Sequence, residues 1–164
     1  MSSAPLPARP RRSLQRWLRS TSNRTFVVWP IALLALQALL DGGWPRLNPW
    51  GALLLAWGYG QYRWVGSWRS ERGGGGPGVS IPPVRLVTTG PYAWTRNPMY
   101  LGHLIFFAGL ALLLRSWPGW AVLVAHAIWF DHRVRADEAS LLALFGPAYR
   151  DYLGRVRRWI PGVG

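Results

Sequence analysis

A short stretch in the middle of the chain combines a turn, a helix start and side chains that suit an anion. The Gly-Pro pair at 90–91 is typical of a turn. Asn97 and Pro98 are typical of a helix start, because Asn caps free N–H groups and Pro at the first helical position needs no partner. Arg96 precedes this start and Tyr100 lies in its first turn. Since a helix N-terminus carries partial positive charge and unpaired donors, the stretch predicts a site for a carboxylate or a zwitterion.

Two adjacent acids, Asp137 and Glu138, are the other candidates for chemistry. They belong to a segment of high helix propensity. Asp137 is predicted to form salt bridges with Arg133, Arg135 or the C-terminal arginines. Glu138 shares a helix side with Leu141, so its carboxylate is predicted to face the protein, where it would hold an ammonium or a sulfonium group.

Several kinds of site are excluded or disfavoured by composition. The chain has no cysteine, which excludes disulfides, thiolate metal sites and a cysteine nucleophile. The three histidines lie far apart and lack a His-x-x-x-His pattern, so no metal site is predicted. Six acids in 164 residues give little support to a Ser-His-Asp arrangement. His103 and His126 fall inside apolar segments, where interhelical hydrogen bonding is the favoured interpretation and a catalytic part stays open.

The charge of the chain is strongly basic, with nineteen arginines, no lysine and a formal net charge of +13. Such an excess suits either nucleic acid or an anionic membrane surface. The arginines flank apolar runs and do not form a stripe on a polar face, so a membrane lipid surface is predicted and nucleic acid is not. Twelve tryptophans and a hydrophobic content of 50% agree with a membrane protein.

Four apolar runs of about 14–16 residues are predicted to cross a bilayer. Each is shorter than the ~20 residues that a hydrocarbon core requires, but flanking Trp, Tyr and Pro and snorkelling Arg make up much of the difference. A 164-residue globule has no room to bury four helices that are apolar all round. The predicted spans are Phe26–Leu40, Pro49–Trp64, Met99–Leu114 and Trp117–Phe130.

The arginines also orient the predicted spans. With the N-terminus inside, seventeen of the nineteen arginines fall on the inner side, and only Arg46 and Arg115 lie outside. This asymmetry predicts an all-α polytopic protein of two helical hairpins with both termini cytoplasmic, in an inner membrane of bacterial type.

The chain divides into four predicted parts. Residues 1–24 are a basic cytosolic tail, favoured over a cleaved signal, and 25–66 form the first transmembrane hairpin. A Gly/Pro-rich cytosolic linker, 67–88, lacks the Lys-Ser/Thr of a phosphate-binding loop. Residues 89–161 contain the second hairpin and two C-terminal amphipathic helices, which are predicted to lie on anionic lipid. The C-terminal helices are Arg133–Phe145 and Ala148–Arg158, separated by Gly146-Pro147.

Two half-motifs in this last part resemble a known superfamily. They resemble the isoprenylcysteine carboxyl methyltransferase and phospholipid N-methyltransferase superfamily of integral-membrane enzymes, over about residues 85–161. Spans one and two carry no such resemblance. The first half-motif is Gly90-Pro91-Tyr92 followed by Arg96-Asn97-Pro98-Met99-Tyr100-Leu101-Gly102. After a hairpin, the second is Asp137-Glu138-x-x-Leu141 with Phe145-Gly146-x-x-Tyr149-x-x-Tyr152 and Ile160-Pro161.

The resemblance implies S-adenosylmethionine as cofactor, bound on the cytoplasmic side between the start of span three and the helix after span four. Glu138 matches the second acid of the family's Glu-Glu pair, and it and Arg96 are the candidate catalytic residues. The chain departs from the family in its Asp-Glu pair and in Arg-Asn-Pro at 96–98, which resembles the phospholipid branch more than the Arg-His-Pro of prenylcysteine enzymes. The implied cofactor-binding residues are Tyr92, Arg96, Asn97, Pro98, Tyr100, Gly102, Glu138 and Tyr149.

The physical chemistry of methyl transfer is compatible with so few acid–base residues. The driving force resides in the sulfonium cofactor, and the protein needs only to align donor and acceptor. Aromatic faces of Tyr92, Tyr100 and Tyr149 suit a sulfonium contact, although an interfacial belt explains tyrosines there equally well.

The sequence therefore predicts a membrane methyltransferase with a lipophilic or small membrane-partitioning acceptor. The acceptor atom, whether O, N or S, stays open. The alternative is a non-catalytic membrane scaffold or transport accessory protein that retains the motif.

Overall fold

The computed structural model describes residues 14–75 and 83–159, and all regular secondary structure in these ranges is helical. The predicted all-α class is thus confirmed for the described part of the chain. The α-helices are α1 (Leu14–Arg19), α2 (Thr21–Asn23), α3 (Trp29–Asp41), α4 (Trp50–Gly73), α5 (Pro98–Leu113), α6 (Trp117–Phe145) and α7 (Pro147–Arg155), with a π-helical turn at Arg24–Val28 and a 3-10 turn at Gly90–Ala93.

Each predicted span coincides with a helix. The first belongs to a continuous helical run, Thr21–Asp41, of 21 residues. Among the described residues, this run is the helix that is both long and apolar enough to cross a membrane, while α5 is apolar but shorter. The run begins inside the basic tail that was predicted for residues 1–24, of which residues 1–13 lie outside the described part of the chain.

Two helices extend further than the sequence predicts. Helix α6 continues through Asp131, where a separate second helix was predicted, because charged residues do not break a helix and Asp131 bonds Arg135 one turn on at 2.8 Å. Helix α4 continues to Gly73, so the predicted linker 67–88 begins as helix. Residues 76–82 of that linker lie outside the described ranges. The predicted break before α7 is confirmed, since Gly146 ends α6 with a φ of 53°.

The chain that follows α4 is tied to the end of that helix. The backbone N–H groups of Val84 and Arg85 donate to the carbonyl of Gly73 at 2.8 and 3.0 Å. Pro83 is buried beside the same glycine. Residues 83–85 are therefore docked on the C-terminal end of α4.

Helices α4 and α5 approach so closely that their backbones touch. Gly51 and Gly58 on α4 meet Gly109 and Gly102 on α5 in antiparallel order. A Cβ built on Gly58 would lie 2.5 Å from the backbone nitrogen of Phe106. Small residues at such spacing are typical of helix pairs in membranes, where packing rather than the hydrophobic effect drives association.

We expect Gly58→Ala to destabilise the protein, because neither backbone can withdraw without separating the two helices. Overpacking of this kind costs about 1–3 kcal/mol or more. Gly60→Ala is the matched control, since nothing lies within 4 Å of a Cβ there and alanine is the better helix former. Thermal unfolding in detergent should show a lower Tm for Gly58→Ala only, and equal Tm values would contradict this contact.

The helical segments that precede α4, called the N-terminal helices below, also pack on α5. Leu33 of α3 is buried against Leu110 of α5, and the ring of Phe26 lies 4.8 Å from that of Phe106. The Ser22 and Tyr62 hydroxyls are 2.6 Å apart. This packing brings residues outside the two half-motifs next to the start of α5.

Candidate functional site

A cavity of 490 Å³ lies where the start of α5, the middle of α6 and α7 come together. Its volume falls in the range of about 300–1,000 Å³ typical of small-molecule sites. Both half-motifs contribute to its lining, through Arg96, Asn97 and Tyr100 from the first and Asp137 and Tyr149 from the second. Residues that lie far apart in the sequence, such as Tyr100 and Asp137, therefore form one wall of the cavity.

The first half-motif is held by the C-terminal segment. The backbone N–H of Arg96 donates to the carbonyl of Arg157 at 2.9 Å. The Thr95 hydroxyl and the Asn97 amide both donate to the carbonyl of Arg158, at 3.0 and 3.1 Å. Asn97 occupies the N-cap position of α5, as predicted, but its side chain accepts no hydrogen bond from the first turn of that helix. Pro98 occupies the first turn as predicted.

Glu138 faces the protein, as predicted, and joins the two half-motifs by ion pairs. Its side chain is 12% exposed and lies 3.4 Å from Arg96 and 2.8 Å from Arg158. The Glu138 hydrogen bond, followed by the charges of Glu138 and Asp131, raises the pKa of Arg158. Glu138 therefore holds the Arg96 side chain by an ion pair, without being a lining residue of the cavity. Asp137 is the acid of the pair that lines the cavity.

Asp137 takes part in a short hydrogen-bonded chain at the cavity wall. The Tyr100 hydroxyl donates to its Oδ2 at 2.8 Å and accepts from Arg133 Nε at 2.9 Å. Asp137 and Arg133 are thus linked through the Tyr100 hydroxyl, and not by a direct salt bridge. This places a carboxylate oxygen and an aromatic ring together at the cavity surface.

Three tyrosines form another part of the lining: Tyr92, Tyr149 and Tyr152. The Tyr152 hydroxyl donates to the Tyr92 carbonyl at 2.7 Å, which ties α7 to the turn before α5. Burial raises the pKa of Tyr92 to about 12, and burial together with the charge of Glu138 raises the pKa of Tyr149 to about 12. Burial, reinforced by Tyr149, likewise raises the pKa of Tyr152. All three rings therefore stay neutral and present aromatic faces to a ligand.

Two of the predicted cofactor-binding residues, Pro98 and Gly102, contact α4. Pro98 is buried and its carbonyl accepts from the Gln61 amide at 3.0 Å. Gly102 faces α4, where a Cβ would lie 3.0 Å from the carbonyl oxygen of Gly58. Both residues set the position of α5 against α4, and neither belongs to the cavity lining.

Sequence reasoning missed several lining residues. Arg133 lies one helical turn before Asp137, so the spacing of the two residues indicates that they share one side of the helix. Tyr62 and Ser22 carry no local signal, because they reach the cavity only through packing of the N-terminal helices. His103, whose role the sequence leaves open, also lines the cavity.

The charges around the cavity suit a ligand that carries both signs. Four arginines line it, against the single carboxylate of Asp137 among the described lining residues. The arginines suit a carboxylate, and Asp137 with the tyrosine rings suits an ammonium or sulfonium group. The arginines are Arg69, Arg85, Arg96 and Arg133.

Comparison with known proteins gives matches to methyltransferases. Residues 75–148 match the family model described as phospholipid methyltransferase. Proteins named protein-S-isoprenylcysteine O-methyltransferase are also similar: the Mus musculus protein is 38% identical over 80 residues, and those of Schizosaccharomyces pombe and Saccharomyces cerevisiae are 36% identical over 78 and 37% over 80.

These matches are partial on both sides. They cover 46–48% of this chain, and they span 28% of the Mus musculus relative and 33% of each yeast relative. The chain thus matches a third or less of the length of these curated relatives. Within that region, the resemblance to the isoprenylcysteine carboxyl methyltransferase and phospholipid methyltransferase superfamily, predicted from the two half-motifs, is confirmed. The matched family is one of methyltransferases.

Proposed function

We propose that this protein is an integral-membrane methyltransferase that uses S-adenosylmethionine and methylates a lipophilic or small membrane-partitioning acceptor. The observation that carries the proposal is the junction of the two half-motifs at one cavity, through the Arg96–Glu138–Arg158 ion pairs. The match to a methyltransferase family over residues 75–148, which include Arg96 and Glu138, supports it.

The residues around the cavity fit the parts of such a cofactor. Arg96, at the base of α5, suits its carboxylate, and Asp137 suits its ammonium group. Tyr92, Tyr100 and Tyr149 offer aromatic faces, each worth about 0.5–2 kcal/mol toward a cation. Asn97 also lines the cavity, whereas Glu138 acts through its ion pair with Arg96. The cavity of 490 Å³ is large enough for a small-molecule cofactor.

S-Adenosylmethionine supplies an electrophilic methyl group when bound. The task of this chain's residues is then to hold that group in line with the acceptor and to exclude water, which accounts for a large share of catalysis in such displacements. Arg96 and the tyrosines would orient the donor. The N-terminal helices, through Tyr62 and Ser22, would form the side from which a lipophilic acceptor enters.

The proposed setting is a bilayer crossed by four helices with both termini in the cytoplasm. Large apolar side chains on three of the four helices are exposed in the isolated chain, as expected of surfaces that face lipid: Ile31 and Leu39 on α3, Leu53 and Trp57 on α4, Val124 and Ile128 on α6. The arginine asymmetry of the sequence supports the orientation. The cavity, next to the basic segments, would then open to the cytoplasm.

Binding of S-adenosylhomocysteine to the purified protein tests this proposal. We expect a measurable heat by calorimetry and a rise in Tm, together with transfer of label from methyl-labelled S-adenosylmethionine to material in the membrane. A protein that gives neither heat nor thermal shift would favour the alternative, a non-catalytic membrane scaffold or transport accessory.

A further inference from the structure

His103 lines the cavity and carries a buried ring nitrogen that has no hydrogen-bond partner in the described part of the chain. The residue is 3% exposed and lies in α5, five residues after Pro98, or about 7.5 Å along the helix axis. Its Nδ1 is 2.8 Å from the carbonyl oxygen of Met99. Because a carbonyl oxygen only accepts hydrogen bonds, Nδ1 carries the ring hydrogen, and Nε2 of the neutral imidazole is left with a lone pair.

Nothing in the described part of the chain uses that lone pair. Nε2 is fully buried and has no hydrogen-bond partner there. The ring is surrounded by aromatic groups, with centroids at 5.0 Å for Phe26, 4.8 Å for Tyr62 and 5.6 Å for Phe130. Most buried polar atoms in proteins are paired, so an unpaired acceptor that lines a cavity points to a ligand that donates a hydrogen bond.

We propose that His103 takes a proton from the methyl acceptor, and that the acceptor atom therefore carries a hydrogen, as in an amine, a thiol or a hydroxyl. This inference rests on the proposed methyltransferase function and goes beyond it by naming the acceptor class. A carboxylate, the other candidate, has no hydrogen at neutral pH to donate, and its oxygens would face the lone pair of Nε2.

The step balances without a further reactant. The hydrogen of the acceptor atom passes to Nε2 as a proton, and the electron pair left on that atom forms the new bond to the methyl carbon. The carbon–sulfur bond of the sulfonium donor breaks with its electron pair on sulfur, which becomes a neutral thioether. The imidazolium ion then loses the proton to water.

His126 offers a matched control on the neighbouring helix. Its Nδ1 is 2.9 Å from the carbonyl oxygen of Val122, and its ring also packs on Phe130 and on Phe107. It is, however, outside the cavity lining. Replacing either histidine therefore removes the same helical contact, but only His103 is a lining residue of the cavity.

The first test identifies the chemistry of the labelled product. Membranes that contain the full-length protein are incubated with methyl-labelled S-adenosylmethionine and then treated with dilute alkali. We expect the label to be stable, as in N-, S- or ether-linked methyl groups. Release of the label as volatile methanol identifies a carboxyl methyl ester and overturns the inference while leaving the proposed function intact.

The second test compares variants. We expect His103→Phe and His103→Gln to bind S-adenosylhomocysteine like wild type but to transfer label at least a hundredfold more slowly, the usual range of a general base. His126→Phe should keep the wild-type rate. A folded His103→Gln protein that transfers label at the wild-type rate overturns the inference. If the wild-type protein does not bind S-adenosylhomocysteine, the proposed function itself is refuted.

A third measurement needs no turnover. In protein labelled with ¹⁵N-histidine, the ring signals that disappear in His103→Gln should report a protonated Nδ1 and an unprotonated Nε2. A protonated Nε2 overturns the inference, because that nitrogen would then have no lone pair to take a proton.

Discussion

Glu138→Gln is expected to lower the Tm of the protein far more than any exposed charge substitution does. The change leaves the guanidinium groups of Arg96 and Arg158 without the carboxylate that they share, at a place where the Arg96 and Glu138 side chains are only 13% and 12% exposed. Removing one partner of a buried ion pair costs about 3–5 kcal/mol, because the remaining charge stays buried. Since these pairs join the two half-motifs, affinity for S-adenosylhomocysteine should fall as well.

Arg135→Gln is the control for this prediction. It removes an ion pair on the same helix, with Asp131, but the Arg135 side chain is 64% exposed. Exposed pairs contribute about 0–1 kcal/mol, so the Tm should hardly move. A double-mutant cycle that combines Glu138→Gln with Arg158→Met should show strong coupling between the two residues in the free energy of unfolding. Equal Tm values for Glu138→Gln and Arg135→Gln would mean that the ion pairs do not hold the half-motifs together.

Local signals were sufficient to predict the approximate positions of the four long helices, but not all of their ends. Apolar runs bounded by glycine and proline predict the four long helices, and Pro98 and Gly146 mark ends that the structure confirms. The continuation of α6 beyond Phe130 was missed because a loss of hydropathy was taken as the end of a helix. Hydropathy reports burial in lipid, whereas helix ends depend on backbone geometry and capping.

The site was only partly predictable, because its geometry depends on contacts between distant residues. The two half-motifs do meet in the structure, where Arg96 lies 3.4 Å from Glu138. No local pattern shows that the Asn97 amide binds the Arg158 carbonyl, 61 residues away. Likewise, Tyr62 reaches the cavity only because glycines such as Gly58 let α4 and α5 touch. The sequence does not show which acid of the pair lines the cavity, since adjacent helical residues point in directions about 100° apart.

Asp137→Asn is expected to weaken ligand binding by about tenfold to a hundredfold with little change in Tm. Its carboxylate lines the cavity and accepts from the Tyr100 hydroxyl at 2.8 Å, so an amide keeps the shape but loses the charge. Hydrogen bonds to charged groups are worth about 1.5–3 kcal/mol, and about 1.4 kcal/mol corresponds to tenfold in affinity. Calorimetry on detergent-purified protein measures the change. Asp151→Asn, the same substitution at an exposed position on α7, is the control.

Comparing two ligands then shows which cation Asp137 faces. S-Adenosylhomocysteine has the ammonium group of the cofactor but a neutral sulfur, whereas S-adenosylmethionine carries both positive charges. If Asp137 neutralises the ammonium group, as proposed, both affinities fall by the same factor. A loss confined to S-adenosylmethionine would place Asp137 beside the sulfonium, because Coulomb attraction acts only where the charge is present. Unchanged affinity for both ligands would show that this cavity wall is not the cofactor site, since a charge removed at contact distance from a bound cation must alter its binding.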